Sequence, residues 1–159
     1  MSEHAKLSPS AAGRWLACPA SVKLAAKYKD TSSAAAAEGT HAHSLFEHCL
    51  NTGENPFDQV GKSFDGGIHE VTQEMAEFML EGLEYVDERV EELGGKMHCE
   101  VKVIPSRFHR DDLWGTADVV IIAPMAIEVI DLKYGQGVMV EAEDNKQLEI
   151  YLMGALDTL

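Results

Sequence analysis

Residues 115–133 read GTADVVIIAPMAIEVIDLK. Two apolar, β-branched runs flank Pro124-Met125, which cannot continue a strand. The spacing predicts strands over Thr116 to Ile122 and Ile127 to Lys133, joined by a tight turn. Asp118 stands between Ala117 and Val119 in an otherwise apolar strand, and a charge placed there must be paired or bound. Asp131 and Lys133 are two apart, so on a strand they face one side while Leu132 points into the core. A hairpin brings Asp118 and Asp131 side by side.

Upstream, Met97 to Ile104 reads as the first strand, with Glu100 inside it. Pro105 to Asp112 is a polar turn holding Arg107, His109 and Arg110. Downstream, Tyr134-Gly135-Gln136-Gly137 is a loop and Val138 to Val140 a short extension. A final helix begins near Glu143, with Leu148, Tyr151, Leu152 and Leu156 on one side. Gln147 and Tyr151 are one turn apart on it.

The first part of the chain reads as helical. Ser8-Pro9 is a helix start, with Ser8 as N-cap, and that helix carries Arg14, Trp15 and Leu16. Cys18-Pro19 interrupts it before a second helix from Ala20 to Tyr28. Asp30-Thr31-Ser32-Ser33 is a turn or cap cluster. Ala34 to Leu50 is a helix containing Gly39, and Asn51 to Gly67 is loop. Met75, Met79, Leu83, Val86, Val90 and Leu93 recur at steps of three and four, the pattern of an amphipathic helix. Gly94-Gly95 ends it. The fold class is therefore α/β, of the α+β kind: helices, a three-stranded mainly antiparallel sheet, then a helix. We expect one domain over 1–159, with a helical portion over 1–95 and a strand-rich core over 96–159. Leu159 falls inside a helical pattern without a cap, so the sequence reads as truncated or as passing its C-terminus to a partner.

With 159 residues and 45% apolar content, the chain can bury a real core. The polar N-terminus has no signal-peptide pattern and no apolar run is long enough to span a bilayer, which predicts a cytoplasmic protein. Cys18, Cys49 and Cys99 are widely spaced and form no CxxC. The net charge of −14, from 27 acids against 13 Lys and Arg, predicts a poor passive DNA binder, because such binding rests on basic groups neutralising phosphates, although a local basic groove or bound divalent cations could still receive phosphate. The acids concentrate between Glu70 and Glu92, where nine stand against the single base Arg89.

Asp118, Asp131 and Lys133, followed by Gln147 and Tyr151, are residue types suited to holding a divalent metal beside a phosphodiester. Mg²⁺ takes hard oxygen ligands, which Asp118, Asp131 and the Leu132 backbone carbonyl offer. Two close carboxylates repel, and a cation removes that cost. Lys133 can reach attacking water or the scissile phosphate. Read alone, Gln147 and Tyr151 are ordinary helix-surface residues, and an Asp-x-Lys by itself is a weak signal.

The ordered strings Gly115-Thr116-Ala117-Asp118, Asp131-Leu132-Lys133 and Gln147-Leu148-Glu149-Ile150-Tyr151 resemble the RecB-like branch of the PD-(D/E)xK nuclease superfamily. Phage exonucleases related to the CRISPR-adaptation nuclease belong to that branch. Arg14-Trp15-Leu16-Ala17-Cys18-Pro19-Ala20-Ser21 and Ala37-Glu38-Gly39-Thr40-His41-Ala42-His43 resemble an uncharacterised phage and prophage family within it. The resemblance runs from Ser8 to Leu156. It implies a Mg²⁺- or Mn²⁺-dependent DNA exonuclease. His43, Asp118, Asp131 and the Leu132 carbonyl would be metal ligands, with Glu100 a further acid. Lys133 would be the catalytic lysine, and Gln147 and Tyr151 would orient it or touch the DNA backbone. His41 competes with His43 but lies off that helix face, and Glu47, one turn from His43, is a supporting partner. Arg107, His109 and Arg110 are candidate phosphate contacts, or a solvated turn. Relatives place an iron–sulfur cluster on one N-terminal and three C-terminal cysteines. Cys18 resembles the first, but the cluster cannot be built from this chain alone. The resemblance also implies one more core strand after the last helix.

Expected partners are DNA, a second copy of the chain or a recombination protein in a bacterial host, and no membrane. Two other readings compete. One is a non-catalytic interaction or regulatory module whose acidic helix faces a basic partner or mimics DNA. The other is a zinc hydrolase using His41, His43 and His48, whose spacing matches no H-E-x-x-H pattern.

Overall fold

A computed structural model describes residues 5–28, 33–64, 66–135 and 140–159. Among the described residues the elements are α1 (Ala12–Ala17), α2 (Ala20–Ala25), α3 (Ala34–Thr52), α4 (Gln73–Leu93), β1 (Lys96–Val103), β2 (Gly115–Ala123), β3 (Ala126–Ile130) and α5 (Lys146–Thr158). The fold is mixed α/β, as the hydrophobic pattern predicts. The three strands lie in the order β1-β2-β3, antiparallel throughout. No helix among the described residues is long and apolar enough to cross a membrane.

The long helices are capped by short polar side chains that satisfy free N–H groups. The Ser33 hydroxyl accepts from Ala36 N at 3.1 Å, and the Thr72 hydroxyl from Met75 N at 3.1 Å. Both helices end on left-handed glycines, Gly53 at φ 72° and Gly94 at φ 59°. α4 buries Met75, Ala76, Met79 and Val86 and turns its acids outward. Its one base, Arg89, is tied to Glu92 and to Glu128 on β3.

Two apolar layers sandwich the sheet. On one face Leu45, Phe46 and Cys49 of α3 and Met75, Met79 and Val86 of α4 meet Val119 and Ile121, with Leu132 beneath. On the other, Tyr151 and Ala155 of α5 meet Val103, Ala117 and Val120. Between Ala117 and Val119 the alternation of β2 slips by one residue. β1 slips at the same level, since Met97 packs with the α3–α4 layer while Val101 and Val103 pack with α5. The register is undisturbed, with Cys99 opposite Val119 and Val101 opposite Ala117. No residue is inserted, so the slip is absorbed by conformation, at Glu100, whose φ is 50°.

Several boundaries differ from expectation. Ser8 makes no side-chain cap and leads into a 3-10 turn, Pro9–Ala11, before α1. Its carbonyl instead accepts from Trp15 Nε1 at 2.9 Å. α2 stops at Ala25, short of Tyr28, and α3 runs on to Thr52. The expected loop after it includes a 3-10 turn, Pro56–Gln59. β3 ends at Ile130, so Asp131, Leu132 and Lys133 lie just past the ladder. α5 starts at Lys146, because the Asn145 side chain caps it by accepting from Gln147 N and Leu148 N at 3.0 and 3.2 Å. Most of the Asp30–Ser33 turn and of the Val138–Val140 extension, with Gln136 and Gly137 of the preceding loop, lies outside the described residues.

The buried face of α5 is Ile150, Tyr151, Gly154 and Ala155, leaving Leu152 and Leu156 exposed. The reason is close approach. A Cβ on Gly154 would sit 2.9 Å from the Val103 Cβ and 3.2 Å from Ile104 N. Leucine does not fit a contact that tight. We expect Gly154→Ala to cost about 1–3 kcal/mol through overpacking, measured by denaturant unfolding. A neutral result would show that α5 can slide on the sheet.

Candidate metal centre

Glu100 falls opposite Asp118 between the Cys99–Val119 and Val101–Ala117 pairs, and one step beyond the Val119–Ile130 pair sets Asp118 opposite Asp131. Three carboxylates thus stand in a row across the sheet, at the level where the alternation slips. α3 passes over this row and delivers His43, whose Nδ1 lies 3.2 Å from Asp118 Oδ1. His43, Glu100 and Asp118 each offer a ligand atom, and these three atoms lie within 4.8 Å of one another. Asp118 is buried. Its other oxygen, Oδ2, accepts from the Leu132 backbone N–H at 2.6 Å.

That last bond couples the two halves of the site. It ties β2 to the segment just past β3, so Asp131 and Lys133 emerge beside Asp118. Lys133 Nζ pairs with Asp131 Oδ2, while the Asp131 side chain is only 8% exposed and Lys133 is 47% exposed. Gln147 Nε2 donates to Asp131 Oδ1 at 2.7 Å and lies 3.3 Å from the Tyr151 hydroxyl. A one-turn spacing on α5 therefore fixes the second oxygen of Asp131. The Leu132 side chain is buried, and its carbonyl lies outside the ladder.

The electrostatics are those of a crowded acidic pocket. Burial, then the charges of Asp118 and Glu47, push the Glu100 carboxyl up to about 7. Burial also raises Asp131, against the opposing pull of Lys133. His43 is raised, chiefly by its hydrogen bond to Asp118. Burial pushes the Tyr151 phenol up to about 12, which keeps it neutral. Every shift has the sign expected of a site short of positive charge. The mixed imidazole and carboxylate donor set fits a divalent cation, and Glu100 holds a left-handed backbone that a non-glycine residue adopts only at a cost of about 1–3 kcal/mol.

The family model described as "Protein of unknown function (DUF2800)" matches residues 4–159. The chain belongs to the DUF2800 family. No solved structure matches it.

Within this DUF2800 chain the expected residues divide into those the fold gathers and those it does not. His43, Glu100 and Asp118 converge, and Asp131, Lys133, Gln147 and Tyr151 form a linked chain beside them. His41 is fully buried and accepts from Phe64 N at 3.4 Å, whereas His48 pairs with Glu54 at 2.9 Å. The three histidines of the zinc reading therefore point to three different partners. Arg107 is engaged by Asp157 on α5 at 2.5–3.1 Å, and Arg110 by Asp112 at 2.8 Å. Cys18 is exposed, Cys49 buried and Cys99 half-buried.

Two features of the site go beyond the sequence reading. Glu47, expected as a partner of His43, acts on Glu100 through its charge. The left-handed Glu100 had no signal, since glutamate is not a residue that marks positive φ.

Proposed function

We propose that this protein is a divalent-metal-dependent DNA nuclease, an exonuclease acting in DNA processing or recombination in a bacterial host. The observation that carries the reading is the row Glu100–Asp118–Asp131 flanked by His43 and Lys133. His43, Glu100, Asp118 and Asp131 would hold Mg²⁺ or Mn²⁺. Bound there, the ion would supply charge relief at a phosphate and acidify a water. Lys133 holds a proton at Nζ beside Asp131 and is open to solvent, placed to neutralise charge on a phosphodiester oxygen. Gln147 locks the far oxygen of Asp131 and is itself steadied by Tyr151, so the carboxylate keeps one orientation. Sequestered carboxylates also reconcile DNA as substrate with a net charge of −14. A phosphate would meet a bound cation and Lys133 rather than bare acids.

The test uses linear single- and double-stranded DNA with Mg²⁺, Mn²⁺ or EDTA, comparing wild type with Lys133→Ala and Asp131→Ala. Wild type should degrade DNA only with metal. Each variant should lose about 10²–10³-fold or more, the usual effect of removing one charge-stabilising group. End-labelling reads polarity. A wild type that neither cleaves DNA nor binds metal by calorimetry overturns the reading. It would favour an interaction module using the acidic outer face of α4.

A further inference from the structure

We propose that a nucleobase of a single-stranded nucleic acid stacks in the apolar cavity between α1 and α5, with its backbone running from Lys133 past Lys146. This rests on the nuclease reading of the carboxylate row and specifies its substrate. The cavity measures about 520 Å³ and is walled by Trp15, Leu16, Phe108, Ile150 and Met153. Phe108 and Leu16 are 46% and 51% exposed, an apolar lining that a stacked base would cover.

Continuity joins this cavity to the centre. A second groove of about 420 Å³ is lined by Lys133, Gln147, Lys146 and Gly13. Lys146 belongs to both. The path therefore runs from the ammonium beside Asp131, along the first turn of α5, to the face of Trp15. Arg110 stands on the cavity wall. Lys146 and Arg110 are held by Glu149 and Asp112 at 2.5 and 2.8 Å, side chains half exposed and able to turn to a phosphate.

Charge decides the direction. A smaller groove of about 250 Å³ opens on the other side of Asp131 and Lys133, lined by Phe78, Tyr85 and Glu81 of α4. It also offers aromatic rings. That helix, however, carries eight acids and one base, whereas the cavity and the groove set Arg110, Lys133 and Lys146 against Glu149 and Asp144, and residues 5–28, which supply Trp15 and Gly13, contain Lys6, Arg14, Lys23 and Lys27 and no acid. A polyanion is repelled from the first and drawn to the second. An apolar slot with aromatic walls selects single strands, because duplex bases stay stacked on each other.

The test isolates Trp15 as the only tryptophan with Trp114→Phe and measures binding in EDTA, where cleavage is silent. Oligo-dT should quench Trp15 fluorescence and a blunt hairpin duplex should not. Phe108→Ala, a half-exposed position outside the core, should weaken oligo-dT binding about 5- to 100-fold with melting unchanged. Trp15→Phe should retain binding. Equal quenching by duplex, wild-type affinity in Phe108→Ala, or a dimer that this substitution splits would each overturn the proposal, the last assigning the cavity to a second copy. The two readings fail separately. Quenching without metal-dependent cleavage keeps the cavity and sinks the nuclease. Cleavage with an inert Trp15 and Phe108 does the reverse.

Discussion

Asp118→Asn should abolish metal-dependent cleavage, by about 10³-fold, while leaving the protein folded. Asp118 touches both halves of the site, with one oxygen toward His43 and the other on the Leu132 N–H. Asparagine keeps one carbonyl oxygen, which can still accept from Leu132. It loses the charge that holds His43 and attracts a cation. Metal affinity should fall about 10²-fold or more, because a ligating carboxylate is gone. Asp118→Ala provides the contrast. It strands the buried Leu132 N–H without an acceptor, which costs about 1–3 kcal/mol. The pair therefore separates two roles. If the centre works as proposed, both variants are inactive, but only alanine lowers the melting temperature appreciably. Wild-type metal affinity and cleavage in Asp118→Asn would remove Asp118 from the site.

Glu100→Gln should stabilise the metal-free protein at pH 8 and weaken its stabilisation by metal. The Glu100 carboxyl is pushed up to about 7, against 4.5 for an unperturbed group. Between those values the folded state binds more protons than the unfolded state, so stability falls as pH rises through the window and levels off above it. The raised Asp131 acts in the same direction. So does His43, whose contribution is complete below 6.5 and is lost as pH rises through its elevated folded value. Discounted for solvent screening, the Glu100 penalty at pH 8 is about 1–2 kcal/mol, or about 2–8 °C in melting temperature. Glutamine removes it. Metal requires deprotonated ligands, so Mg²⁺ or Mn²⁺ should raise the wild-type melting temperature most at high pH. The gain should be smaller in Glu100→Gln. Melting curves from pH 5 to 8, with and without metal, read both effects. A variant less stable than wild type at pH 8 would mean that Glu100 is satisfied by its surroundings and is not poised for a cation.

Both predictions depend on features of unequal legibility. The amphipathic period of α4, the Pro124-Met125 turn and the β-branched runs on either side were readable because local periodicity and turn chemistry settle them. The oddity of Asp118 was readable too, as a charge inside an apolar strand. The hairpin register then follows from the two-residue turn, and with it the juxtaposition of Asp118 and Asp131. Periodicity was misleading on α5, where the leucines suggested one face and the close contact of Gly154 with Val103 selected another. It also carried β3 too far, because the hydrogen bond from Leu132 to Asp118 replaces the ladder there.

The sequence by itself determined the order of elements, the hairpin and a carboxylate–lysine pair at its open end, since these depend on neighbours along the chain. Only the tertiary structure decided that α3 sets His43 against Asp118, that Glu100 turns left-handed to join them, and that an apolar, aromatic cavity shares Lys146 with the groove at Lys133. Those outcomes depend on how α3, β1 and α1 are packed around β2 and α5. A hydrophobic period tells which side chains share a face, but not which layer will lie against it.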